Sequence, residues 1–305
     1  MAAQTATYAD CSGCSLCVLV CPVWRSARDL RFTPEGRCKA LQHGATVPDI
    51  APSVEACTLC SACEVVCPEN IALVDQVLGL RQALFTDKGT IQPEKAANLN
   101  ASSDRVLLAD SALSTRPELL GRISVLLNCT VAPDDGTDIA QALETGQPLA
   151  RERKASFIDS LTGIRTVISS DGLLTRHLRG WAPQSSVLSL GQALSALPPI
   201  RKSLSSADLY VIEPRAYHSD YAKLIHHYDG LRRETGCMLN LDLQRVAVPA
   251  RTQGMNGKAT PAQAEWLLKG RNPRRIVVED LNDMEVLKQA SGLPVLHVAE
   301  LGQTQ

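Results

Sequence analysis

Eight cysteines fall into two identical runs. Cys11, Cys14, Cys17 and Cys21 precede Pro22, and Cys57, Cys60, Cys63 and Cys67 precede Pro68. Each run reads C-x2-C-x2-C-x3-C-P, a spacing that serves iron–sulfur clusters. Three thiolates on a tight loop can hold three corners of a 4Fe-4S cubane, while the fourth corner must be filled from elsewhere. The proline ends the local turn and sends the chain away. Where two such runs share a chain, the fourth cysteine of each ligates the other cluster. On that pattern Cys11, Cys14, Cys17 and Cys67 hold one cluster, and Cys57, Cys60, Cys63 and Cys21 hold the second. The chemistry implied is one-electron transfer through two 4Fe-4S clusters. Crossed ligation also makes the folding of this region depend on the clusters. Zinc is the competing reading, but zinc sites pair their cysteines rather than using triplets with a distal fourth.

The elements that position these runs are helical. The 35 residues from Pro22 to Ala56 include a helix expected over 37–43, with Cys38 read as a free, partly buried thiol. After the second run, apolar residues at Ile71, Val74, Val77, Leu78, Leu80 and Leu84 have helical spacing, and a helix over 71–85 is expected to shield the clusters. Residues 86–104 are rich in Asp, Lys, Gly, Asn and Ser and read as a linker or long loop.

Beyond that point short apolar strands alternate with helical stretches, which signals parallel sheets covered by helices. Strands are expected at Val106–Ala109, Ile123–Asn128, Thr166–Ser169, Val187–Leu190, Leu209–Ile212, Arg245–Val248, Ile276–Glu279 and Val295–Val298. Helices are expected at Asp138–Thr145, Leu173–Arg179, Tyr217–Thr235, Pro261–Leu268 and Met284–Ala290. A weak internal repeat relates the segments starting at Ile164 and Ser186 to those starting at Arg274 and Pro294. Leu126 to Thr130 and Val211 to Arg215 are placed at the heads of the two halves. The fold class expected is α+β overall: a helical dicluster domain over 1–90, a linker over 91–104, and an α/β domain over 105–305 in two similar halves, about 105–200 and 205–305.

Composition narrows the function classes. The chain has 305 residues, 31 basic against 32 acidic side chains, and only 4% aromatics. A net charge of −1 gives no basic surface for phosphate, so nucleic acid is not an expected partner. No apolar run is long enough to span a bilayer, and the N-terminus lacks the pattern of a secretory signal. A cytoplasmic location follows, with membrane association open only through a partner. Nine of eleven cysteines lie in the first 67 residues, and in a reducing compartment they are not disulfides. Gly254 to Thr260 resembles the end of a phosphate-binding loop, but Ala259 stands where a magnesium-binding hydroxyl belongs, so it is set aside. His226 and His227 have no partner at metal-ligand spacing except His218, eight residues before His226, and read as packed or surface residues.

With its two runs, Cys21-Pro-Val, and the segment Thr33-Pro-Glu-Gly-Arg between them, the chain resembles the iron–sulfur subunits related to heterodisulfide reductase subunits C and B. Relatives of that group serve glycolate oxidase, lactate-utilisation and anaerobic glycerol-3-phosphate dehydrogenase systems. The resemblance implies an α-helical dicluster ferredoxin followed by a duplicated cysteine-rich domain whose motifs end in Cys-Cys-Gly. Here that second domain is depleted: only Cys129 and Cys237 remain, and Arg215 stands in Glu213-Pro-Arg-Ala-Tyr where the family pattern has a cysteine. The resemblance therefore implies a scaffold that has lost its own cofactor. It also implies an electron-transfer subunit of a larger oxidoreductase, not catalytic alone. Its partners would be a flavoprotein dehydrogenase or electron-transfer flavoprotein on one side, and another iron–sulfur or quinone-linked subunit on the other. Two further readings stand beside this one: a thiol–disulfide reductase using Cys129 and Cys237, and a structural protein stapled by its clusters.

Overall fold

The computed structural model describes residues 6–85, 104–251 and 262–302. Most of the 91–104 linker and the Gly254–Thr260 segment lie outside them.

The first part is built from short helices. Leu16–Val20 and Ala62–Val65 each follow the middle cysteine of a run, and the two pack against one another. Pro22 then opens the helix Pro22–Ala27, where its missing N–H costs nothing. The helix expected over 37–43 begins earlier and spans Pro34–Gln42. Thr33 caps it by accepting from the Gly36 N–H at 3.1 Å. Gly36 is required by space, since a Cβ there would lie 1.9 Å from the Leu30 carbonyl oxygen. Gly36→Ala is therefore expected to lower stability by about 2–4 kcal/mol, because backbone cannot step aside as a side chain can. Gly79→Ala, in the helix Leu73–Leu84 with nothing within 4 Å of its Cβ position, should raise stability by about 0.5–1 kcal/mol. Denaturant titration of the two variants checks the contrast. The helix Leu73–Leu84 matches the expected one to within two residues and buries Leu73, Val74, Val77 and Arg81.

The second part holds two four-stranded parallel sheets. The first is β1 (Arg105–Leu108), β2 (Thr130–Val131), β3 (Thr166–Ser169) and β4 (Ser186–Ser189), in the order β2-β1-β3-β4. The second is β5 (Asp208–Val211), β6 (Met238–Leu239), β7 (Arg275–Val278) and β8 (Val295–His297), in the order β6-β5-β7-β8. The two orders are the same. One apolar core runs through both halves, joining Leu107 and Ile168 to Leu209, Tyr210, Val211 and Val277.

Several expectations need correction. Ile123–Asn128 is not a strand but the end of the helix Pro117–Leu127, with Asn128 in the left-handed cap (φ 47°). Its residues are apolar because one face is buried at Ile123 and Leu127 while Val125 is 82% exposed. Arg245–Val248 is not a strand either: Leu243–Arg245 forms a 3-10 turn, and a single bridge joins Leu241 to Ala247. The long helix expected over Tyr217–Thr235 is two helices, Pro214–Ser219 and Tyr221–Thr235, broken at Asp220 (φ −139°, ψ 46°). The repeat pairs β3 and β4 with β7 and β8 as expected. However, the segment from Leu126 precedes β2 and corresponds to the one around Cys237 before β6, while the counterpart of Val211 is at the end of β1. Among the described residues no helix is long and apolar enough to cross a membrane.

Candidate metal centre

The two cysteine runs share one backbone shape. Gly13 and Ser15 flank Cys14 with φ of 78° and 62°, and Leu59 and Ser61 flank Cys60 with φ of 55° and 62°. Left-handed residues at matching places curl each run, the backbone habit of the concave nests that cradle anionic clusters. Leu59 adopts this conformation without the freedom of glycine. Its side chain is fully buried among Ile50, Val54, Val74, Val77 and Leu173, and that packing holds the strained turn.

The curled runs enclose two small cavities. Cys11, Cys14, Cys17 and Cys67 line the first. Cys21, Cys57, Cys60 and Cys63 line the second. The packing of Leu16–Val20 on Ala62–Val65 carries the fourth cysteine of each run across to the other's cavity. Leu73 lines both and Val74 the second, so the helix that follows the second run does lie against the sites. None of the eleven cysteines forms a disulfide. Among the described residues no group of three or more His, Cys, Asp or Glu gathers around one point as a single metal ion requires. The cysteines instead ring two spaces.

Cys38 was expected to be partly buried. It is 1% exposed, lines the first cavity as a fifth cysteine, and donates its S–H toward Gln76 Oε1 at 3.6 Å. Burial pushes its thiol up to about 12, as it does that of Cys17, and raises Cys21, Cys60 and Cys63 as well. A metal must displace protons from such thiols, so the sites suit a ligand that repays their deprotonation with strong thiolate bonds.

The α/β part closes over the second cavity from the far side. Arg81, 1% exposed, donates to the carbonyls of Val54, Glu55 and Cys57 and across to Glu144. Arg215 donates to Thr58 O at 3.2 Å and pairs with Glu144 at 2.7 Å. His218 accepts from the Ala247 N–H at Nε2, so its Nδ1–H donates to Cys60 O at 2.6 Å. Burial lowers its pKa to about 4, leaving it neutral. Arg176 pairs with Glu64 at 2.7 Å, and Arg25 pairs with Asp242 while stacking on Trp266. Sequence reasoning missed all of these except Arg215. None has a motif, and the contacts that join the two parts span long stretches of sequence: 157 residues from Arg215 to Thr58, 158 from His218 to Cys60 and 112 from Arg176 to Glu64.

His227 is half-buried with Nε2 2.8 Å from Ser195 Oγ, and His226 is exposed, as expected of packed and surface residues. Cys129 and Cys237 sit at matching positions just before β2 and β6, and burial raises both thiols.

A separate cavity of about 430 Å³ lies beyond the carboxyl ends of the strands, between the halves. Asp110, Asp171, Glu213 and Asp280 line it, one following each of β1, β3, β5 and β7. Each caps its following helix or turn by accepting from backbone N–H groups. Their side-chain oxygens therefore satisfy the backbone N–H groups at the helix and turn starts they cap.

Residues 7–71 match the 4Fe-4S dicluster domain family. No curated protein and no solved structure matches the chain.

Proposed function

We propose that this chain is an electron-transfer subunit carrying two 4Fe-4S clusters inside a multisubunit oxidoreductase. The observation that carries the reading is the pair of cavities, each lined by three cysteines of one run and the fourth cysteine of the other, with Cys38 as an additional thiol at the first. It is supported by the 4Fe-4S dicluster domain at residues 7–71. The donor is a flavoprotein dehydrogenase or an electron-transfer flavoprotein, because two one-electron centres can take the electron pair of a reduced flavin in sequence. The acceptor is another iron–sulfur subunit or a quinone-linked protein.

The clusters, when bound, supply the one-electron redox change. The chain's own residues hold and surround them. The eight thiolates fix their places, and Leu59, Leu73 and Val74 keep water from the second. The exposed Cys14 leaves the first cavity near the surface, where a partner can approach. The related group's catalytic cluster has no thiolate set here, so the α/β part serves as a scaffold against the second cavity. The disulfide-reductase alternative is weakened by Cys129 and Cys237 themselves, whose burial disfavours the reactive thiolate.

Anaerobically loaded protein should hold about eight iron atoms per chain and, when reduced with dithionite, show two interacting paramagnetic centres. Zinc, or about half that iron, would defeat the reading.

A further inference from the structure

Two buried guanidinium groups distinguish the second cavity from the first. Arg37, 3% exposed, lines it and donates to the carbonyls of Phe32 and Ser53 and to Ser53 Oγ. Arg81 reaches the same loop from the helix Leu73–Leu84 and donates only to carbonyl oxygens. Among the described residues no carboxylate pairs with either. The other cations near this cavity are matched: Arg25 by Asp242, Arg176 by Glu64 and Asp75, and Arg215 by Glu144. Arg37 and Arg81 therefore bring positive charge into a place with little water, Arg81 sharing the more distant field of the Glu144 carboxylate with Arg215.

The first cavity is balanced differently. Lys39 donates to Cys11 O at 2.8 Å and brings one positive charge. Glu35 lines the cavity, and its Oε2 is buried with no hydrogen-bond partner.

Resting on the two-cluster reading, we propose that Arg37 and Arg81 make the cluster held by Cys21, Cys57, Cys60 and Cys63 the higher-potential of the two, so that an electron arriving through the Cys11–Cys14–Cys17–Cys67 site comes to rest at the one against the α/β part. Reduction of a cluster takes up one electron from the donor and adds one negative charge to an already anionic group. Nearby positive charge stabilises the reduced form and raises the potential. Burial by itself works in the opposite direction, since water solvates the more negative state. The same burial, however, strengthens the field of the two fixed guanidinium charges. Two guanidinium groups without an ion-pair partner at the second cavity, against one ammonium group and the carboxylates of Glu35 and Glu69 at the first, decide the order. Arg37 and Arg81 are thus positioning residues that act on the potential through the surrounding field.

The test is a redox titration of the iron-loaded full chain followed by electron paramagnetic resonance. Two midpoint potentials are expected. Cys14→Ser, at an exposed ligand of the first cavity, should alter the lower-potential signal. Arg37→Gln and Arg81→Gln should each shift the higher potential downward and leave the lower in place, while Arg37→Lys and Arg81→Lys should restore most of the shift by returning the charge. The proposal is overturned if Cys14→Ser alters the higher-potential signal, if the two clusters titrate together, or if a glutamine variant that loads iron leaves the higher potential unmoved. The Cys14→Ser result decides even if both glutamine variants fail to fold. Iron content measured on the same samples separates this outcome from failure of the two-cluster reading: a single cluster's worth of iron sinks that reading first.

Discussion

Cys21→Ala is expected to empty the site of the second run, and Cys67→Ala that of the first. Each should cost about half the iron, but which half is the informative result. Cys21 belongs by sequence to the first run, yet it lines the cavity of Cys57, Cys60 and Cys63. Cys67 lies in turn with Cys11, Cys14 and Cys17. The residual spectrum of Cys21→Ala should therefore match that of Cys57→Ala, and Cys67→Ala should match Cys14→Ala. Local ligation would produce the opposite pairs, Cys21 with Cys14 and Cys67 with Cys57. Iron quantification with paramagnetic resonance on the four reduced variants distinguishes the two patterns. Stability should fall as well, by several kcal/mol, because a bound metal's free energy is part of the folding free energy of a site the unfolded chain cannot preform. Loss of all iron in every variant would mean that neither site stands without the other, and the two could then not be assigned as separate centres.

The cysteine grouping was legible because ligand spacing is a local geometric constraint. Three thiolates within seven residues must share a loop, and a proline after the fourth must redirect the chain. The alternation of β and α elements was legible for a similar reason: buried parallel strands such as Val106–Leu108 and Ile276–Val278 are short apolar runs. Ile123–Leu127 has the same composition and is a helix. Its neighbours Pro117 and Glu118 are good first-turn residues, and its apolar stripe continues from Leu119 and Leu120, so length rather than composition was the deciding signal. The strands β2 and β6 are two residues long and carry no periodicity to detect. The break at Asp220 is invisible in sequence because both flanking stretches favour helix. Least legible was the cradle around the second cavity. Arg81, Arg176 and His218 act there through carbonyl oxygens and distant carboxylates, and backbone carbonyls carry no side-chain identity to read.

The polar core between the halves is where acidity and stability should be most tightly linked. Glu279 is 4% exposed, and its Oε1 accepts from the hydroxyls of Tyr210 and Tyr228 at 2.8 and 2.7 Å. Its Oε2 accepts from the Glu213 N–H at 2.9 Å, and the carboxyl leaves no room for a Cβ at Gly191, which would lie 2.0 Å away. Burial raises its pKa to about 7 against these stabilising hydrogen bonds, raises Glu213 to about 8, and with the charge of Asp280 raises Asp283 to about 7. Each folded-state value lies above the ordinary carboxylate range. The stability these groups contribute is therefore complete below about pH 4 and is lost as pH climbs through about 7 to 8, where the folded protein must hold buried negative charge. Thermal stability should accordingly fall between pH 5.5 and 8.5. Glu279→Gln stays neutral throughout. It keeps an acceptor for the two tyrosines but turns an amide N–H₂ toward the Glu213 N–H, so at pH 5.5 it should be less stable than the parent by about 1–2 kcal/mol. That gap should narrow as pH rises, because the variant has no proton to lose at this position. Glu279→Ala strands two tyrosine hydroxyls and a backbone N–H, and should cost about 3–5 kcal/mol at pH 5.5. Comparing variant with parent at each pH cancels the acid sensitivity of the clusters. Parallel pH profiles for the parent and Glu279→Gln would show that Glu279 titrates alike in the folded and unfolded chain, and the buried carboxyl would then have no part in the protein's pH dependence.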